Sequence, residues 1–252
     1  MMIMWDMYEK FQEWIRKPIP SYPFPEIKNE KQILEKKEKI VPLTMYARSN
    51  PAYYKQGILG ALPLCYIRET VAGKLAMINE MLISIDLELL VWDGYRPIEV
   101  QQSLWDEYYE RIQEENPKAS QEEKERLTSH FVSKPSYDEN HPSLHNTGGA
   151  VDVTLCSKGT ENMLNLGTNF DDFSEKAWTA YYEKHYREEP DGEEIRDNRR
   201  LLYWLMLDVG FTNLPSEWWH YDYGDKFWAY CKNQNPMYKG MLKHHFPGEI
   251  NK

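Results

Sequence analysis

The chain has 252 residues, 41% of them hydrophobic and 14% aromatic, which is enough to bury a substantial core in one large domain or two small ones. Its formal net charge of −10 argues against the concentrated Lys and Arg that a nucleic-acid backbone or an anionic membrane surface demands. Neither is expected as a partner. Cys65, Cys156 and Cys231 are scattered, odd in number and free of C-x-x-C spacing, so a disulfide framework is not expected and a reducing compartment is.

In chain order, MMIMWDMYEKFQEWIRK lacks the basic-then-apolar layout of a secretory signal, and no apolar run approaches a membrane span, so a cytoplasmic location is expected. Met4, Tyr8, Phe11 and Ile15 recur at helical spacing and predict an amphipathic helix. KPIPSYPFPEI, with four prolines between Pro18 and Pro25, predicts an extended surface arm. KNEKQILEKKEK reads as a solvated helix or a linker. Residues 1–40 thus read as an extension, and residues 41–252 as the main domain.

Val71, Leu75, Ile78 and Leu82 mark a helix, and LELLVW (87–92) a buried strand. A helix starts after Pro97 and buries Val100, Leu104, Tyr108 and Ile112. Ser120 and Glu123 form a capping box for a helix ending near Val132. GAVDVTL (149–155) alternates, with Val151, Val153 and Leu155 on one face and Ala150, Asp152 and Thr154 on the other. Ser174 is placed to cap a helix through Tyr186, and RDNRRLLYWLMLDVG reads as a long helix stopped by Gly210. Strands and helices do not alternate strictly. The pattern predicts an α+β domain whose central, mostly antiparallel sheet is flanked by helices.

Three segments carry chemistry-bearing side chains. In PSLHNTGGAVDVTL, Gly148 and Gly149 let the chain turn between His145 and Asp152, so that imidazole and carboxylate can meet across the turn. An acid on a strand among valines is costly when buried alone, and a metal, a histidine or an arginine relieves that cost. In PSEWWHYDY, His220 is the natural third ligand of a catalytic zinc and Glu217 a general base. Strict strand alternation would put Glu217 and His220 on opposite faces, so a bend between them is required. In LLVWDGYRPIEVQQ, Arg96 at a strand end can hold a carboxylate or an oxyanion, or simply pair with Asp93. Among the other histidines, His141 reads as a surface loop residue, and His130, His185, His244 and His245 as ordinary. Cys156 reads as a small buried hydrophobe.

Four blocks in order, WDGYRP (92–97), SLHNTGGAVD (143–152), GTNFD (167–171) and EWWH (217–220), resemble the D-alanyl-D-alanine dipeptidases, the VanX-like branch of the zinc D,D-peptidases. NRRLLYWLMLDVGF (198–211) is similar to the helix preceding the last block, and the resemblance runs from about Val41 to Asp222. It implies a compact α+β fold with one zinc per chain on a central antiparallel sheet. It also implies His145, Asp152 and His220 as ligands, Glu217 as base and Arg96 as the group that steadies the tetrahedral intermediate. Asp171 is implied as the partner of the substrate's ammonium, and Ser143 as a lining residue. Where the family often has S-R-G after the first histidine, this chain has Asn146-Thr147-Gly148-Gly149, with one positive charge fewer near the site.

The expected activity is hydrolysis of D-Ala-D-Ala to free D-alanine by metal-activated water. Two alternatives stand beside it: a related zinc D,D-carboxypeptidase or cell-wall peptidase acting on longer peptides, and a non-catalytic zinc-binding module. The sequence leaves a homo-oligomer open.

Overall fold

The computed structural model describes residues 4–23, 31–129 and 131–242. Helix α1 (Met4–Arg16) is followed by strand β1 (Ile40–Pro42), strand β2 (Arg48–Ser49), the short helix α2 (Ala52–Lys55) and strand β3 (Tyr66–Arg68). Helix α3 (Glu69–Leu82), strand β4 (Leu87–Asp93), helix α4 (Ile98–Glu115), helix α5 (Gln121–Thr128) and strand β5 (Ala150–Ser157) come next. The C-terminal part holds α6 (Tyr181–His185), α7 (Gly192–Asp208), β6 (Thr212–Asn213), β7 (His220–Asp222) and α8 (Lys226–Lys232).

A five-stranded sheet of order β2-β4-β5-β7-β6 forms the middle, parallel only at the β2–β4 edge. A second, two-stranded sheet pairs β1 with β3. The protein is therefore α+β with a mostly antiparallel central sheet. On one face of that sheet, Val151, Val153 and Leu155 of β5 and Tyr221 of β7 join a core shared with α1, α3 and α7. Val71, Leu75, Ile78 and Leu82 of α3 are wholly buried there, each contributing about 1.5–3 kcal/mol of transfer free energy. The opposite face carries Asp152 and His220. The register places these two directly opposite each other on β5 and β7, so their side chains project side by side. A bulge between Val91 and Asp93 brings Asp93 level with Asp152 on the other flank.

Several expectations shift in register or extent. The first helix forms, but its buried stripe is Met7, Phe11 and Trp14, while Tyr8 points outward. This 7/11/14 spacing turns the larger apolar surface onto α7 and into the main core. Residues 31–39 are extended rather than helical, because the Leu34 and Lys36 amides donate to the Pro236 and Met237 carbonyls. The arm's Ile19 is buried and its amide donates to Glu183, whereas Pro25 lies outside the described residues. Ser120 does cap α5 through the Glu123 amide, but that helix ends at Thr128.

The helix expected from Ser174 through Tyr186 is broken into a 3-10 turn, Glu175–Ala177, and α6. Arg199 of α7 braces the break: its guanidinium, almost fully buried, donates to the Lys176 and Trp178 carbonyls on either side of it and to that of Leu166. His130, His244 and His245 lie outside the described residues. His141 is exposed beside Asp138, His185 is half-buried beside Glu188, and Cys156 is buried. No helix among the described residues is long and apolar enough to cross a membrane.

Candidate metal centre

His145 opens a 3-10 turn, His145–Thr147, that ends at Gly148 in the left-handed region with φ +71°. Gly149 follows, where a Cβ would lie 2.4 Å from the Tyr223 carbonyl oxygen. The two glycines therefore do what their positions predict: one turns the chain, and the other lets it pass against β7 into β5. Together with the opposed pair Asp152 and His220, this turn gathers three ligand atoms within 4.8 Å of one another. All three residues are buried.

The hydrogen bonds around this cluster fix which atoms face inward. The Gly94 carbonyl can only accept, so His145 donates through Nδ1 at 2.8 Å and turns the lone pair of Nε2 toward the cluster. His220 donates through Nε2 to Asp222 Oδ1 at 2.9 Å, which turns its Nδ1 inward. The two inward nitrogens are 3.1 Å apart. Asp152 Oδ1 lies 3.0 Å from His220 Nδ1, and Oδ2 lies 3.3 Å from His145 Nε2. Three potential ligand atoms thus converge, at separations close to the roughly 3.3 Å set by tetrahedral bonds of about 2.0–2.1 Å to zinc. The donor set fits a zinc-like cation.

The local electrostatics agree. Burial opposes charge on the His220 imidazole, yet Asp222 and Asp152 raise it well above the ordinary range. Burial likewise opposes charge on Asp152, but His145 and His220 hold its carboxyl below the usual carboxylate range. The pocket is built to contain positive charge. Behind it, the buried Asp225 carboxyl is raised well above normal, first by burial and then by Asp222.

Glu217 satisfies the geometric demand made by its spacing from His220. It lies in a turn ahead of β7, where its amide donates to the Leu214 carbonyl and its own carbonyl accepts from the His220 amide. Asn213 Nδ2 holds the turn closed by donating to the Glu217 and His220 carbonyls. The carboxylate returns to within 3.8 Å of His220 Nδ1, and burial pushes its pKa up. Trp218 and Trp219 point the other way and are buried, with Trp218 Nε1 donating to Thr168. They pack the turn and take no part in the cluster.

Arg96 unites its two expected roles. Its Nε donates to Asp93 at 2.8 Å, Nη1 to Gln101 and Nη2 to the Tyr53 hydroxyl, while Nη2 also lies 3.6 Å from Asp152. Burial would lower its pKa, but Tyr53, Asp93 and Asp152 raise it, so the guanidinium stays charged. Asp171 sits in the left-handed region with φ +59°, an uncommon conformation for a residue with a side chain, and accepts from the Tyr53 hydroxyl at 3.4 Å. Burial raises its carboxyl to about 8, against the opposing pull of Arg96.

All seven sequence-derived residues, Ser143 included, line one cavity of about 70 Å³. Tyr53 and Gln101, which hold Arg96, went unnoticed in the sequence, as did Asp222, which orients His220. Asp222 carries a legible signal, being two residues after His220 and so on the same strand face. Tyr53 comes from a four-residue helix with no local pattern to mark it.

Fold and cluster together define an α+β protein with a buried His–Asp–His cluster, able to hold a metal ion, at the middle of its sheet. Residues 45–239 match the sequence model of the D-ala-D-ala dipeptidase family, and the chain belongs to that family. It is 32% identical over 158 residues to a D-alanyl-D-alanine dipeptidase of Synechocystis sp., a match covering 58% of this chain and 64% of that one. It is 30% identical over 136 residues to the dipeptidase of Enterococcus faecalis, covering 53% and 60%. A third relative, that of Escherichia coli, is 30% identical over 138 residues, covering 54% and 55%. The chain thus spans between 55% and 64% of the length of these curated relatives. Among solved structures it is similar to a Zn(II) complex of the vancomycin-resistance D,D-pentapeptidase VanY, at 15% identity and a TM-score of 0.34 over 88% of this chain and 96% of that one.

Proposed function

We propose that the protein hydrolyses D-alanyl-D-alanine to free D-alanine, with one zinc per chain held by His145, Asp152 and His220. The observation that carries this reading is the convergence of those three ligands within 4.8 Å, with the Glu217 carboxylate 3.8 Å from one of them. A zinc bound there supplies Lewis acidity toward a water molecule and toward the scissile carbonyl.

The chain's own residues do the rest. Glu217, raised by burial and open to the cavity, is suited to take a proton from the attacking water and return it to the leaving amine. Arg96 offers its remaining Nη–H groups to the oxygen that becomes negative, already locked in place by Asp93, Gln101 and Tyr53. Asp171 receives the substrate's ammonium, and Ser143 lines the wall beside His145. Asp171, lining the same cavity as the three ligands and reading a free ammonium, favours a free dipeptide over a longer chain. A partly exposed base beside the metal ligands also weighs against a purely structural zinc, which closes its coordination with protein ligands and needs no base.

The test is Glu217→Gln. The variant should bind zinc with near-normal affinity and lose about 10²–10⁴-fold in kcat on D-Ala-D-Ala. Wild-type turnover in a zinc-loaded variant removes Glu217 from the mechanism. Wild-type protein that prefers a blocked, longer D-Ala-D-Ala peptide makes the enzyme a carboxypeptidase instead.

A further inference from the structure

The turns that carry His145 and Arg96 are bonded to each other and to the segment that follows α8. His145 Nδ1 donates to the Gly94 carbonyl, and the Arg96 amide donates back to the His145 carbonyl at 3.2 Å. The next residue, Asn146, is buried. Its Nδ2 donates to the Arg96 carbonyl at 3.3 Å and to the Met241 carbonyl at 3.1 Å, while its Oδ1 accepts from the Met241 amide at 3.0 Å. Asn146 and Met241 thus pair as two amides, each both donor and acceptor. The Tyr95 hydroxyl donates to the same Met241 carbonyl at 2.9 Å. From β3, Arg68 braces the turn by donating to the Thr147 carbonyl at 2.8 Å and reaches the Lys239 carbonyl at 3.4 Å. Gly240 is seated tightly in between. A Cβ there would lie 2.7 Å from Pro142 Cβ and 2.8 Å from Asn146 Oδ1, although its backbone is not in the left-handed region.

Resting on the dipeptidase reading, we propose that Asn146 is a positioning residue: with Met241 as its partner, it fixes the Arg96 main chain against the His145 turn and makes residues 239–241 part of the frame of the site. Asp93, Gln101 and Tyr53 hold the Arg96 guanidinium, whereas Asn146 and His145 hold the backbone that carries it. Asn146 does not line the cavity, so its effect passes through the two turns it joins. The residue type matters. A serine, which the family often has at this place, owns one hydroxyl hydrogen and cannot donate to the Arg96 and Met241 carbonyls together. A displacement of about 1 Å in such a frame is enough to cost about 10²-fold in rate.

The experiment compares full-length wild type, Asn146→Ala, Gly240→Ala and the double variant. Hydrogen exchange over residues 236–242 of the metal-free protein reads the contact itself, and should quicken in both single variants. Hydrolysis of D-Ala-D-Ala by the zinc-loaded proteins reads its consequence. Each single variant should lose about 10–100-fold in kcat per bound zinc with KM nearly unchanged, as for an interaction that acts only in the transition state. The double variant should lose no more than the weaker single one, because both substitutions break one contact. Circular dichroism shows which variants fold, and if one single variant does not, the other decides. Unchanged kcat per zinc in a folded variant overturns the proposal, since a merely structural bond lowers Tm and leaves turnover alone. Unchanged exchange, or losses that add in the double variant, overturns it as well. A zinc-loaded wild type inactive on the dipeptide overturns the functional reading and this proposal together, and that control alone identifies the outcome.

Discussion

Replacing Asp222 with alanine removes the acceptor that holds His220 by its outer nitrogen at 2.9 Å, while leaving every assigned metal ligand in place. Asp222 is fully buried and, after burial itself, its charge raises the neighbouring Asp225 carboxyl, which hydrogen-bonds it and caps α8 through the Trp228 amide. The residue is therefore well placed for metal binding. Loss of such an orienting partner lowers metal affinity by about 10–100-fold, or about 1.4–2.7 kcal/mol. Asp222→Asn, which keeps an acceptor oxygen but not the charge, should fall at or below the low end of that range. Competition with a chromophoric chelator measures zinc affinity, and thermal unfolding of the metal-free protein measures the fold. The expected pattern is weaker zinc binding in every folded variant, with the metal-free melts reading separately what the lost Asp222–His220 pair costs the fold. Zinc affinity within threefold of wild type in Asp222→Ala would refute the reasoning.

Two further outcomes follow from buried charge. The Asp171 carboxyl is moved by burial from its ordinary 3.8 to about 8, so its folded form favours the proton. The stability it contributes is complete below about pH 4 and is lost as pH rises through about 8. Thermal melts should show wild type losing stability relative to Asp171→Asn across that window, and parallel curves would count against the shift. Arg199→Met leaves three carbonyls without their charged donor, although it also relieves a buried guanidinium whose pKa burial lowers to about 9. The net loss should be about 2–4 kcal/mol, a fall in Tm of roughly 4–16 °C, and a variant as stable as wild type would show that the guanidinium is not the organiser of that segment.

What the sequence revealed depended on whether the cause was local. The stripe Val71, Leu75, Ile78 and Leu82, the run Leu87–Trp92 and the alternation of Val151, Val153 and Leu155 each record a burial pattern within a single element, and each element formed where its pattern lay. The His145, Asp152 and His220 cluster was legible because glycines and aromatics flank its members in short blocks. The turn that brings Glu217 round to His220 followed from spacing alone, but the residue that closes it, Asn213, did not. Tyr53 reaches Arg96 across 43 positions, and Arg199 braces the helix break 21 positions upstream through Trp178. No periodicity encodes contacts of that kind. The first helix shows a milder limit: its amphipathic character was plain, but which of two overlapping stripes faced inward was decided by packing on α7.

The most direct measurement is metal content by mass spectrometry coupled to D-Ala-D-Ala hydrolysis, before chelation, after chelation and after zinc is restored. One zinc per chain, loss of turnover on chelation and recovery on reloading are the expected results. Full turnover by metal-free protein, or no turnover by fully zinc-loaded protein, would contradict the account.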